Sequence, residues 1–485
     1  MSATRGHTLG ALGALALAVL MLSLPSCEAR EALWKSGSRL KHRRLDAGNG
    51  AVAYQETFDS EMKVGCGFAR FPDGVIRCAP GSSEVRYADA TCTKPVVVTD
   101  GANEDNARFA TAFDASVSCG ESSISSVGRI YEVDGSPALP AGTQLYAAVG
   151  LDCQPWSMAD AIAHPAKLVD PGAFVAGDLD TIDGGGGLGI AIVDGEDGSR
   201  GVLGTRDIDR DRPCEPEYWI TLHEEVEGCI PHPYGLASSQ TLYTDPACSD
   251  GQVARPAVCF DEPAEAVLVI VHRDACGATW ALMQADGEVT EGPIYAGTPD
   301  QCGEIESAVP PFIRVGGPFD TSSLAQMPKM DLGSGRVVAR YFGSIHGDPA
   351  RFYSFFDTEL GVGCAPERTS DGATRCLPYH SIFGFEGEPA SVMYADAACS
   401  EILVELGSNV GCDPPVPRFA STTDLSLGQV TSIRAVVGVE TFTTVYRKTE
   451  AGTCVATPAP TGVAIARVGD AIDLATLVEI RDVTE

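Results

Sequence analysis

The sequence predicts an all-β protein assembled from three copies of one disulfide-pinned unit of about 150 residues. Three observations predict it. Four landmarks recur at one period, the segments between them have strand character, and the cysteines are too many and too regular for chance. The steps between equivalent cysteines carry the period. Cys66, Cys214 and Cys364 are 148 and 150 residues apart, and Cys153, Cys302 and Cys454 are 149 and 152 apart.

The chain opens with Arg5 and His7 and an apolar run over residues 9–22, too short to span a bilayer comfortably. A charged start, a short apolar stretch and small residues after it make residues 1–26 a secretory signal rather than a membrane helix. The run ends in Leu24-Pro25-Ser26-Cys27, which resembles the lipobox of bacterial lipoproteins. That resemblance implies that Cys27 is acylated as the mature N-terminus, and Glu28 after it implies the outer membrane; ordinary cleavage near Ala29 would instead give a secreted protein. Residues 27–37 then form a tether to the anchor. Lys35, Arg39, Lys41, Arg43 and Arg44 cluster just beyond Cys27. They could meet anionic lipid headgroups, but a solvated first strand is the simpler reading.

The three units span residues 38–184, 185–332 and 333–485, with Gly-rich junctions at 183–187 and 333–335. Each carries Tyr-x-Asp-x-x-Cys, at Tyr87-Ala88-Asp89, Tyr243-Thr244-Asp245 and Tyr394-Ala395-Asp396 with Cys92, Cys248 and Cys399. Upstream lie Cys78-Ala79-Pro80, Cys229-Ile230-Pro231 and Cys376-Leu377-Pro378. Downstream a tyrosine precedes another cysteine, at Tyr146, Tyr295 and Tyr446. A closing phrase follows at residues 174–179, 315–320 and 468–473.

Runs such as residues 266–271 and 337–342 are β-branched or aromatic and of strand length. Asp73-Gly74 and Asp371-Gly372 lie between cysteines as hairpin turns, which predicts hairpins bridged by Cys66–Cys78 and Cys364–Cys376. Only residues 158–163 and 472–477 carry helical periodicity. About eight short strands per unit give two four-stranded sheets each, and six sheets favour a six-bladed β-propeller. Three β-sandwich-like domains in tandem are the alternative.

Removing Cys27 leaves sixteen cysteines, and exported chains form disulfides. Pairing neighbours gives 66–78, 214–229, 364–376, 248–259, 399–412, 119–153 and 276–302. Cys92 and Cys454 remain, and their union would tie the first unit to the last. Cys119 could instead pair with Cys92. No C-x-x-C occurs, which removes zinc-knuckle, thioredoxin and haem-attachment readings.

The formal charge is −32, from 66 acidic against 34 basic residues. Such a surface repels phosphate, so nucleic acid is an unfavourable partner. His223-Glu224-Glu225 lacks the second histidine of a zinc-protease helix, no Gly-x-Ser-x-Gly elbow exists, and residues 184–187 lack the lysine of a phosphate loop. No cofactor is expected. Asp207, Asp209 and Asp211 alternate as calcium ligands do, but Arg212 and Tyr218 stand where a calcium loop has Gly and Glu, so a solvated charged turn is the plainer reading. Asp89, Asp245 and Asp396 fit turn caps better than a shared site, and Tyr87, Tyr243 and Tyr394 fit packing.

The Cys27 motif, Gly37-Ser38-Arg39-Leu40, Arg77-Cys78-Ala79-Pro80 and Tyr87-Ala88-Asp89-Ala90-Thr91-Cys92 together resemble uncharacterised cysteine-rich repeat lipoproteins of Gram-negative bacteria. The resemblance covers nearly all of the mature chain and implies location and repeat structure, with no catalytic residues to carry over. Two function classes follow. One is a non-enzymatic envelope protein binding a glycan, peptide or envelope partner through loops. The other is an extracytoplasmic hydrolase or lyase whose residues converge from several blades. Polar residues present in one unit and missing from the other two would mark the site, and the second unit diverges most.

Overall fold

Equivalent stretches of the three units form equivalent strands. A computed structural model describes residues 33–485 except 82, 100–107, 113–127, 150–151, 158–161, 217–220, 223–227, 233, 237–241, 257–263, 275–276, 298, 306–310, 386–391, 406–417, 425–426, 450, 462 and 485. The protein is all-β. The first part of each unit is a four-stranded antiparallel meander. In the first unit its strands are Leu40–Asp46, Val52–Asp59, Val64–Arg70 and Ile76–Pro80. The counterparts are Leu188–Gly195, Arg200–Asp207, Arg212–Glu215 and Gly228–Pro231, then Val337–Gly343, Pro349–Asp357, Val362–Arg368 and Thr374–Pro378. A register irregularity falls in the first strand of all three, between Arg43 and Arg44, Ala191 and Ile192, and Arg340 and Tyr341. The repeat is thus written into the backbone as well as the sequence.

These inner sheets are joined in a circle by the strands that connect successive units. Ala176–Gly185 pairs on one edge with Ile76–Pro80 and on the other with Leu188–Gly195. Ala325–Gln326 pairs with Gly228–Pro231, and Lys329–Leu332 with Val337–Gly343. Glu479 bridges Arg375, and Arg481–Thr484 pairs with Leu40–Asp46. The C-terminal strand therefore returns to the first. Contacts between turns repeat the circuit: Ser38 N–H donates to Asp197 O, Gly184 abuts Ser344, and Ser334 N–H donates to Asn49 O. Because unpaired edges are costly and invite aggregation, this circular pairing removes them.

The second part of each unit forms an outer sheet of eight, nine and eight strands. The pairing does not resolve into six four-stranded blades, and a layered, sandwich-like reading of inner and outer sheets is compatible with it. Phe71, Phe109, Ile130 and Phe174 fill the space between inner and outer sheets of the first unit. Ile230, Leu268 and Leu324 do so in the second, and Leu377, Phe419, Ile433 and Leu477 in the third. Phe174, Leu324 and Leu477 each follow a short 3-10 turn whose Asp170, Asp320 or Asp473 caps it by accepting a backbone N–H. The closing phrase of the units therefore aligns on these aspartates, and residues 174–179 lie beyond the turn, too late in the chain to match 315–320 and 468–473.

Among the described residues, six disulfides join Cys66–Cys78, Cys92–Cys153, Cys214–Cys229, Cys248–Cys302, Cys364–Cys376 and Cys399–Cys454. The three hairpin bridges are those expected. The pairings 248–259, 399–412, 119–153, 276–302 and 92–454 are corrected, because the strand bearing Tyr-x-Asp-x-x-Cys lies beside the strand bearing the late tyrosine. Tyr87 faces Tyr146, Tyr243 faces Tyr295 and Tyr394 faces Tyr446, so the adjacent cysteines meet within each unit. Among the described residues, closure of the ring is made by backbone pairing and not by a Cys92–Cys454 bridge. Cys119, Cys259, Cys276 and Cys412 lie outside the described residues. The helical expectations are corrected too. Ile162–Leu168 is a strand, residues 158–161 lie outside the described residues, and 472–477 holds only the 3-10 turn Leu474–Thr476.

Candidate functional site

The most buried charges are structural. Asp59, Asp207 and Asp357 end the second strand of each inner sheet and are at most 1% exposed. Arg39 chelates Asp59 through Nε and Nη2 and donates from Nη2 to Ala173 O, 2.9 Å away. Arg336 does the same to Asp357 and, through Nη1, to Thr476 O. In the second unit the equivalent position is Gly187, whose φ of +80° suits a tight hairpin and no arginine. Arg210 replaces it from across the turn, binding Asp207 at 2.6 Å and Ser323 O at 2.8 Å. Each guanidinium thus clamps an inner sheet to its closing 3-10 turn. Burial pushes Asp59 up, but Arg39 and the amides of Met62 and Glu61 outweigh it and hold the carboxyl below its ordinary value.

This arrangement corrects the reading of residues 207–212 as a solvated turn. Asp207 is consumed by Arg210, Asp211 is 88% exposed and bound to Arg206, and Asp209 is exposed. The three carboxylates do not converge, and among the described residues no cluster of three His, Cys, Asp or Glu side chains could hold a metal ion. The residues 223–227 lie outside the described residues, as do residues 1–32 with Cys27.

Asp89, Asp245 and Asp396 are turn caps. Asp89 accepts from the amides of Thr93 and Lys94, Asp245 from those of Ala247 and Ser249, and Asp396 from those of Ser400 and Glu401. The turns carry Cys92, Cys248 and Cys399 at φ of about +50°. The amides of Glu401 and Ser400 and the Ser400 hydroxyl hold Asp396 down to about 2.

The basic cluster near the N-terminus is largely committed to internal contacts. Arg39 serves Asp59, Arg43 binds Glu56 and Asp482, and the Lys41 ammonium donates to Gly37 O. The segment from Leu33 is docked, although the sequence placed it in the tether. Leu33 is buried with Leu188 and Ile190 of the second unit and Phe342 and Ala350 of the third. Trp34 stacks on Tyr54 of the first, 4.7 Å between ring centroids. Lys35 exchanges both backbone hydrogen bonds with Arg200.

The second outer sheet carries what the other two lack. Between Cys248 and the next core residue, Val253, the chain has one residue more than between Cys92 and Val96 or Cys399 and Leu403. The extra length is absorbed at Gly251, φ +66°. Opposite it, the strand Gly277–Val289 breaks register between Ala285 and Glu288 around Asp286 and Gly287. Between them opens a cleft of about 980 Å³ lined by Tyr243, Asp245, Asp250, Met283, Asp286 and Arg314, among others. Strand register makes Arg314, which faces Val253, the counterpart of Arg467, which faces Leu403, and of Pro165, which faces Val96. Arg467 is paired with Glu440, 2.7 Å away, and with Glu401. Arg314 instead lines an open cleft beside Asp250 and Asp286. The sequence pointed to the second unit, but to residues 207–212 and 223–227; the inserted residue after Cys248 was the signal that would have found the cleft.

A protein-family model matches this chain over residues 20–354 and again over 342–474, the second match beginning inside the third unit as internal repetition produces. No curated protein and no solved structure matches it.

Proposed function

Since the chain belongs to DUF7481, a family of unknown function, we propose that it is an exported, lipid-anchored envelope protein that binds a partner without turnover through the cleft of its second outer sheet. The six disulfides mark an oxidising, extracytoplasmic compartment. Acylation of Cys27 is the part of this reading that rests on the motif alone. The carrying observation is the cleft itself: one of three copies has opened a polar, mixed-charge cleft where a sister copy pairs its arginine with two glutamates at the surface. Selection for fold alone gives no reason for one copy to differ so. A cavity of this size accommodates a glycan, a peptide or the loop of an envelope protein. Its carboxylates and Arg314 suit a partner that presents both an amine and an anionic group.

Two measurements test it. Cells expressing the Cys27→Ser variant should lose label from an alkyne fatty acid and release the protein from the membrane fraction; unchanged labelling would remove the anchor. Labelled envelope fractions should bind the wild type and bind the Asp286→Ala/Arg314→Ala variant at least about tenfold more weakly. Turnover of any substrate in a hydrolase panel, lost on the same two substitutions, would overturn the binding reading.

A further inference from the structure

A second concavity lies in the first outer sheet, far along the chain from the cleft just described. It measures about 330 Å³ and is lined by Leu139, Pro140, Thr143, Gln144, Trp156 and Ser157 with a few neighbours. Every described lining side chain is uncharged, in a chain whose formal charge is −32. That contrast selects against a charged ligand, since an ion entering this pocket would shed water without a counter-charge.

The tryptophan is specific to its unit. Trp156 faces Leu145 across a hairpin, one residue before Tyr146. In the third unit the same place, facing Val445 before Tyr446, holds Thr457. In the second it holds Ile305, whose amide bonds Ile294 O. The tryptophan is also fixed in place. The Arg86 guanidinium sits 4.8 Å from its ring centroid and is itself held by Glu84 at 2.8 Å. Gln144 Nε2 donates to Trp156 O and to Leu145 O. The lip is pinned as well: Leu139 N–H donates to Ala163 O, and the turn over Ala141 and Gly142 is closed by Thr143 N–H and its hydroxyl, both donating to Pro140 O. A pocket built in advance loses little freedom on binding.

We propose that this pocket is a neutral-saccharide site. A sugar ring offers one C–H-rich face and a rim of hydroxyls. The pocket offers an indole and aliphatic walls for the first; for the second it offers the Gln144 side-chain carbonyl and the Thr143 hydroxyl oxygen as acceptors, together with the Ser157 hydroxyl. Its volume is at the small end for ligand pockets, which suits one or two sugar residues. The site is independent of the second-sheet cleft, so the Asp286→Ala/Arg314→Ala variant leaves it intact and the two readings fail separately.

The test uses the mature full-length protein on a printed array of neutral mono- to tetrasaccharides, with proline-rich peptides alongside because aromatic grooves also take those. The best saccharide is then titrated while intrinsic tryptophan fluorescence is followed. Binding should change the fluorescence, and Trp156→Ala should weaken it about tenfold or more, with Gln144→Ala intermediate. The Trp156→Ala protein must keep the wild-type melting profile; should it fail to fold, Ser157→Arg places a charge at the rim and should abolish binding by itself. The proposal is overturned if no neutral saccharide binds, if only the peptides bind, or if the folded variants bind as the wild type does.

Discussion

At the scale of single residues, the three buried aspartates show how a repeat can keep a contact while changing the residue that makes it. Gly187 cannot carry the arginine that Arg39 and Arg336 supply, because its φ of +80° is in the left-handed region. Arg210 therefore serves Asp207. We expect Arg210→Ala to lower stability by about 3 kcal/mol in urea unfolding, as removal of one partner of a buried pair does. Adding Gly187→Arg should lower it further instead of rescuing it. Tyr341 donates to Val52 O at 2.8 Å across the junction of the third and first units; Tyr341→Phe should cost about 1 kcal/mol. Acid should act through the same groups. Asp59 is held below its unfolded value, so its stabilisation is fully present above about pH 4 and is lost as pH falls through the lower folded value. Melting temperature measured from pH 6 to pH 2 should decline mainly below pH 4, and less steeply in Asp59→Asn.

At the scale of elements, each unit carries, among its described residues, one short and one long bridge. Cys66–Cys78 spans 12 residues within a hairpin, whereas Cys92–Cys153 spans 61 and ties the first and last parts of an outer sheet. On the chain-entropy account, the longer loop stabilises more, by about 1 to 1.5 kcal/mol. Denaturant titration of the two double-serine variants should show that order, and hydrogen exchange in Cys92→Ser/Cys153→Ser should rise first in the outer sheet of the first unit. Equal losses would mean that the outer sheet is held chiefly by its apolar contacts with the inner one.

At the scale of the whole molecule, the ring depends on its last seven residues. Arg481–Thr484 completes the pairing of Leu40–Asp46, and Asp482 binds Arg43. Deleting residues 479–485 should expose a strand edge, lower the melting temperature and increase the hydrodynamic radius or produce dimers in size-exclusion chromatography. All six described disulfides lie within units. Cleavage of the peptide chain near residues 184 and 333, followed by denaturation without reductant, should therefore release three separate fragments on a gel. Fragments that stay joined would restore a covalent link between units.

Much of this was legible along the chain. The period of about 150 residues shows in the spacing of the motifs, and the strand content, the hairpin turns at Asp73-Gly74 and Asp371-Gly372 and the short bridges of the three units are local or nearly local properties. Residues near one another in the chain determine the strands, turns and short bridges, and the repeated motifs can be counted directly, so the sequence alone determined them. The long bridges, the ring and both cavities belong to the tertiary structure. They depend on which distant strands lie side by side, and nearest-neighbour pairing of cysteines misjudged that for Cys92, Cys248 and Cys399. Arg210 shows the same limit: its neighbours in sequence make it look like one charge in a solvated turn, whereas the sheet buries Asp207 and makes it a clamp. A residue's environment in a β-sheet is set across strands, by partners a hundred residues away, and only the folded chain brings those partners together.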